Sequence, residues 1–248
     1  MVTIERHGMI AVVRYVRGAK ANALSLAAAN ALLNAARELA DDKTLRAVVL
    51  AGSPKVFSAG IDLSDSGWWG ADDPLATQQA LARGELMCRA WAELPMLTIA
   101  AIEGAAVGGG AVLANCCDLR VMGDGAFVAF PEVRLGVPLA WGGLPRLVAL
   151  LGPARAKRLL FSDLRLDGAS AMEWGLADAL APAGQAVDVA LGLAREASEC
   201  PPISLRLTKR AIDAQAYPTA PAHAQGDQFL LCHLLAQRAK IVGAVEAG

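Results

Sequence analysis

Two short apolar runs constrain this chain more than any other feature: Ala47-Val48-Val49-Leu50, closed by Gly52, and Met96 to Ile102, running into Gly104. Segments this short and this uniformly apolar, ended by glycine, read as buried strands. Helical spacing surrounds them. Leu26, Ala29, Leu32, Leu33, Ala36 and Leu39 recur as one face of an amphipathic helix over Ser25 to Ala40, with Ser25 as its N-cap. A second helix over Leu75 to Leu94 is stopped by Pro95. Buried strands with helices between them predict an α/β core.

The rest of the chain extends that order. Val2 to Arg6 and Met9 to Val16 form a hairpin about His7-Gly8, and Asp65 to Pro74 is a loop rich in Gly, Asp and Trp. Ala111 to Cys117 is a short buried helix, and Asp118 to Met122 and Ala126 to Ala129 are strands. Beyond them only Asp178 to Leu180 suggests a strand. Helices are predicted over Leu144 to Leu150, Pro153 to Phe161, Ala169 to Trp174, Ala186 to Glu199, Ile203 to Ala216 and Ala222 to Val242. The chain therefore divides into an α/β core over 1–183 and a helical C-terminal region over 184–248.

Composition narrows the function classes. With 248 residues, 55% hydrophobic, the chain can bury a large core. Lys and Arg total 23 against 24 Asp and Glu, so no net field favours nucleic acid or an anionic membrane as partner. The five cysteines, Cys88, Cys116, Cys117, Cys200 and Cys232, are odd in number and include no C-x-x-C. That argues against a disulfide framework or a structural zinc and fits a reduced, cytoplasmic compartment. Met1 to Gly8 carries charges and no apolar core, so no export signal is expected.

Three segments carry chemistry. In Phe57-Ser58-Ala59-Gly60-Ile61-Asp62-Leu63, small residues permit either a tight turn or close approach of a ligand to the backbone. In Gly104-Ala105-Ala106-Val107-Gly108-Gly109-Gly110-Ala111, a glycine run joins a buried strand to a helix start. Helix N-termini expose unpaired N–H groups that hold a phosphate, a carboxylate or a transient oxyanion; the alternative is close helix-to-strand packing. The dinucleotide pattern G-x-G-x-x-G fails at Leu113. In Phe130-Pro131-Glu132-Val133-Arg134-Leu135-Gly136-Val137-Pro138, one carboxylate sits among apolar residues, where burial would raise its pKa and suit it to proton transfer.

In this order the segments resemble the enoyl-CoA hydratase/isomerase (crotonase) family, whose members show S/A-A-G-x-D-L, G-x-A-x-G-G-G, C-D-L-R and P-E-x-x-L-G. Here these appear as Ser58 to Leu63, Gly104 to Gly110, Cys117 to Arg120 and Pro131 to Gly136. The likeness reaches upstream to Asn22-Ala23-Leu24 and downstream to Leu150-Leu151-Gly152-Pro153-Ala154-Arg155-Ala156. It implies an α/β crotonase (ClpP-like) spiral of repeated ββα units with a helical C-terminal region that packs trimers or dimers of trimers. It also implies an acyl-CoA thioester substrate, CoA entering as part of that substrate, with no metal and no redox cofactor.

By the same resemblance, the backbone N–H groups of Ile61 and Gly109 form an oxyanion hole and Glu132 is the catalytic acid/base. Ala59 and Asp62 beside Ile61, Gly108 beside Gly109, and Pro131 beside Glu132 are implied to contact substrate. Lys20, Ala21 and Ala23 fall where relatives hold the adenine end of CoA; Lys20 meets a CoA phosphate or is a solvated surface lysine. Family hydratases carry a second glutamate where this chain has Val112, and some relatives an aspartate where Ala140 falls. Trp141 lines the acyl end or packs the core; Trp68 and Trp69 cover an apolar substrate or pin a loop. The final Val245-Glu246 lacks the family's F-x-E-K/R ending, which leaves a CoA contact from that tail open. Cys116 and Cys117 are expected as small buried hydrophobes.

Valine cannot activate water, so the expectation is a double-bond isomerase, which needs one base. A hydratase taking its missing acid from Asp62, Asp65 or Glu93 is the alternative, and a silent acyl-CoA-binding or assembly subunit is the third reading.

Overall fold

The computed structural model describes residues 1–18, 20–69 and 73–217; the helix expected over Ala222 to Val242 lies outside them. β1 (Val2–His7) and β2 (Ile10–Tyr15) form the opening hairpin, with His7 paired to Ile10 around Gly8 at φ +63°. α1 (Leu26–Ala40) starts where the Ser25 hydroxyl accepts the Ala28 N–H at 3.1 Å. β3 (Ala47–Ala51) is buried throughout, and β4 (Val56–Ser58) follows it. Next come the single turn α2 (Ser66–Trp69) and α3 (Pro74–Ala92), whose first turn is capped by the Asp73 carboxylate.

β5 (Leu97–Ile102) and β6 (Ala105–Val107) lead into α4 (Gly109–Cys116), every residue of which is buried. β7 (Leu119–Gly123) and β8 (Phe127–Ala129) lead into α5 (Gly143–Phe161). α5 holds both helices expected there, joined across a kink at Gly152, where φ is 73°. β9 (Leu166–Asp167), α6 (Gly168–Trp174), β10 (Ala179–Ala181), α7 (Ala186–Ser198) and α8 (Pro202–Ala216) complete the described chain.

Two sheets result. The larger runs β1-β2-β3-β5-β7-β10, parallel from β2 onward, and the smaller runs β4-β6-β8-β9. The chain visits them alternately. β3-β4 with α2 and α3, β5-β6 with α4, and β7-β8 with α5 are three successive ββα units.

The apolarity of β3 and β5, broken only at Thr98, whose hydroxyl donates to Asp118, follows from burial of both sheet faces. Val48, Leu50, Ala100 and Ile102 join the core beneath α1, α3 and α4. Val49, Ala51, Ile99 and Ala101 point the other way, against Ala186, Ala190, Leu191 and Ala194 of α7. Cys116 and Cys117 are buried, as expected of small hydrophobes.

The second sheet is the main departure from the sequence reading, which contains only β8 of its four strands. β4, β6 and β9 are two or three residues long, too short for alternation to register, and β4 and β6 border the glycine turns. The loop over Asp65 to Pro74 also holds the turn α2. Among the described residues, no helix is long and apolar enough to cross a membrane.

Candidate active site

The second sheet matters because its strands end at the site. After β4 the chain turns at Gly60, where φ is +90°. A Cβ there would lie 2.8 Å from the Val107 carbonyl oxygen and 3.4 Å from the Gly109 nitrogen, so only glycine lets the two turns touch. Gly110 is equally confined: a Cβ would meet the Ser58 oxygen at 2.7 Å. Both small-residue segments are therefore close-packing devices, and that packing makes a site.

Leu24 and Ile61 form an isolated parallel bridge, whose two bonds run from Leu24 N–H to Gly60 O (2.7 Å) and from Asp62 N–H to Leu24 O (2.9 Å). The Ile61 N–H lies between them and donates to no protein group among the described residues. Gly109 is the first residue of α4, where a helical N–H has no partner within the helix. Both residues line one cavity of about 140 Å³.

Glu132 lines the same cavity, held by the turn that follows β8; a Cβ on Gly108 would lie 3.0 Å from its Oε1. Its Oε2 is buried and has no hydrogen-bond partner. Burial away from water disfavours the charged form and pushes its pKa from 4.5 up to about 7, against a smaller opposing pull from its own backbone N–H. Among the described residues lining the cavity, Glu132 is the sole ionisable group.

Of the remaining residues expected at the site, Ala59, Gly108, Val112, Pro131 and Trp141 all line this cavity. Val112 is 2% exposed, and its methyl groups face Gly143 beside Leu139. Lys20, Ala21, Ala23 and Asp62 sit outside it. The turn Lys20–Asn22 has positive φ at all three residues, and Asn22 fixes it by donating to Tyr15 O (2.9 Å) and Phe57 O (2.7 Å). The Ala21 carbonyl accepts from Ala59 N–H at 3.1 Å, and the Ala23 carbonyl from the Tyr15 hydroxyl.

Lys20 Nζ lies 3.3 Å from Asp62 Oδ2 and donates to Ser64 Oγ at 2.6 Å. The Ser64 hydroxyl, then Arg17 at 2.6 Å, hold the Asp62 carboxyl well below the usual carboxylate range. Asp62 is thus a permanent anion tying two loops together.

The two adjacent tryptophans divide the roles proposed for them. Trp68 is fully buried and its indole N–H donates to Leu24 O at 3.0 Å, so it pins the loop. Trp69 lines the cavity. Sequence reasoning did not single out Arg17, Gly60, Leu135 or Val137. Of these, Gly60 and Leu135 left a sequence signal, as the glycine of S/A-A-G-x-D-L and the leucine of P-E-x-x-L-G.

A profile for the enoyl-CoA hydratase/isomerase family matches residues 5–245. This chain belongs to that family. The short-chain-enoyl-CoA hydratase of Clostridium acetobutylicum is 30% identical over 86% of this chain and 80% of that protein. A mouse mitochondrial enoyl-CoA hydratase domain-containing protein is 38% identical over 77% of this chain and 66% of its own length. The crystal structure of an enoyl-CoA hydratase/isomerase from Mycobacterium paratuberculosis superposes with a TM-score of 0.86, covering 94% of this chain and 92% of that one, at 24% identity. That likeness shows the crotonase fold. The family works on acyl-CoA thioesters.

Proposed function

We propose that this enzyme shifts the double bond of an enoyl-CoA, with Glu132 as the proton carrier and the N–H groups of Ile61 and Gly109 as the oxyanion hole. The carrying observation is that one carboxylate, its Oε2 buried without a hydrogen-bond partner, faces a cavity otherwise walled by backbone and apolar side chains. A thioester carbonyl seated against the two N–H groups acidifies its α carbon. Glu132 takes the α proton, the electron pair moves into the thioester oxygen as a dienolate, and the same carboxyl returns the proton to the γ carbon. Donors aimed at the enolate oxygen favour it over the ground-state carbonyl. A carboxyl with a pKa of about 7 suits both halves of the shuttle.

Hydration needs a second acid or base, and its candidates lie elsewhere. Asp62 is locked to Arg17, Lys20 and Ser64. Asp65 accepts from the Leu26 and Gly67 N–H groups, and Glu93 pairs with Arg89 on the exposed end of α3. None of the three lines the cavity. The deciding experiment follows isomerisation of a 3-enoyl-CoA by the wild type and Glu132→Gln. Losing a general base lowers kcat by roughly 10²–10⁴-fold. Undiminished turnover in the variant would sink the mechanism.

A further inference from the structure

Trp141 lines both the catalytic cavity and a second cavity of about 700 Å³, and among the described residues no other lines both. We infer that Trp141 is the partition that sets acyl-chain length: it restricts the enzyme to short acyl thioesters, and its removal joins the two spaces. This rests on the reading of the first cavity as the seat of the thioester, and it names the substrate class that seat accepts.

The ring is wedged where side chains have been removed to admit it. A Cβ on Gly109 would lie 2.4 Å from Trp141 Cζ3, and a Cβ on Gly84 of α3 would lie 2.0 Å from its Cε2. Glycine at both positions leaves a slot one ring thick between α4 and α3, and Trp141 fills it. The ring is also backed by Trp68, with centroids 5.9 Å apart and planes tilted by 32°. Trp68 in turn is fixed by its bond to Leu24 O. A ring held on three sides does not swing aside to admit a longer chain.

Trp141 holds this place against two local preferences. Its φ is +59°, a region uncommon for residues other than glycine and asparagine. Its indole N–H is buried without a partner, as is that of Trp69 on the same cavity, whereas those of Trp68 and Trp91, outside it, each reach a backbone carbonyl. Buried indoles ordinarily find an acceptor. Local strain and an unmet donor are what a residue kept for the shape of a site displays.

The two spaces differ in size, about 140 Å³ on the catalytic side against about 700 Å³ behind the ring. The larger cavity is lined by Cys88, Leu94, Cys116 and Leu207 and by charged residues such as Glu85, Arg146 and Lys209, whose long stems can cover an acyl chain.

The test is calorimetric titration with the saturated thioesters butanoyl-, hexanoyl-, octanoyl- and decanoyl-CoA. These bind without being isomerised, so a failed isomerase assay leaves this test standing, and a failed cut-off leaves the isomerase reading standing. Each buried methylene tightens binding by roughly fourfold. In the wild type that gain is expected to stop short of decanoyl. In Trp141→Gly, whose glycine accepts the positive φ, it is expected to continue to decanoyl; Trp141→Phe, which keeps a ring in the slot, should retain the wild-type cut-off. A wild type that gains steadily through decanoyl would overturn the proposal. So would a Trp141→Gly protein with the wild-type cut-off. Should Trp141→Gly fail to fold, Trp141→Asn, which also tolerates the positive φ and leaves most of the slot empty, takes its place and must likewise extend the gain to longer chains.

Discussion

The two walls of the catalytic cavity are built differently. One is backbone: the N–H groups of Ile61 and Gly109, brought together because Gly60 and Gly110 carry no side chain. The other is side chain: Glu132, Val112, Ala140 and Trp141. The first wall cannot vary without moving two sheet ends, since a methyl group at Gly60 would strike the Val107 carbonyl. The second can exchange residues without moving the chain. On the proposed reading, seating of the thioester is therefore a property of the fold, whereas the reaction and chain length depend on a few replaceable groups.

The sharpest way to break that comparison is Gly60→Ala. The new Cβ would stand 2.8 Å from a backbone oxygen at a residue whose φ is +90°, so the turn must shift and carry the Ile61 N–H with it. Loss of one oxyanion donor lowers kcat by roughly 10²–10³-fold. Steady-state kinetics on a 3-enoyl-CoA would show it, with a lower melting temperature beside it. Wild-type kcat in a folded Gly60→Ala protein would mean that the thioester is not seated between these turns.

Glu132 tests the other wall through pH. As the proposed proton carrier it acts in its base form, so kcat/KM should rise with pH and level off above about 7, while Glu132→Gln shows a low, flat profile. Stability should move oppositely. Folding raises the pKa of this group, so the folded state binds its proton more tightly. Its contribution is fully present below the unfolded value of 4.5 and is lost as pH rises through about 7. The difference amounts to about 3 kcal/mol at most. Glu132→Gln removes that dependence, so melts at pH 5 and pH 8 should show its stability advantage growing with pH. An advantage that shrinks with pH would contradict a buried, proton-hungry carboxylate.

The backbone wall was the more legible in sequence, and the reason is physical. Close approach demands glycine, so Gly60 and the run Gly108 to Gly110 stand out against any background. The larger sheet was legible too, because five-residue strands buried on both faces leave long apolar runs. β4, β6 and β9 left no such mark; their place is set by pairing with distant neighbours. Glu132 could be named, but its burial and missing partner are properties of the assembled cavity. The partition at Trp141 was least legible. Nothing in the sequence connects Gly84 and Gly109 to one ring, since the three meet only when α3, α4 and the turn before α5 pack together.

Val112→Glu asks whether the side-chain wall alone sets the reaction. A carboxyl there would enter a site 2% exposed and packed against Gly143 and Leu139, with a destabilisation of about 1–3 kcal/mol. A folded variant should release 3-hydroxyacyl-CoA from a short 2-enoyl-CoA faster than the wild type, by chromatography of the products. Unchanged hydration would mean that the choice of reaction also depends on water access from elsewhere.

Ile61→Ala should have the smallest effect, and it separates the two walls at a single residue. The donor of Ile61 belongs to the backbone, fixed by the flanking bonds of Gly60 and Asp62 to Leu24, and alanine keeps both. Its side chain lines the cavity and is only partly buried. Truncation removes contact made equally to ground and transition states, which raises KM and leaves kcat within about twofold. A large fall in kcat with unchanged KM would place the side chain in the transition state's surroundings. The division between a backbone wall that holds the enolate and a side-chain wall that selects among acyl groups would then fail at the residue where the two meet.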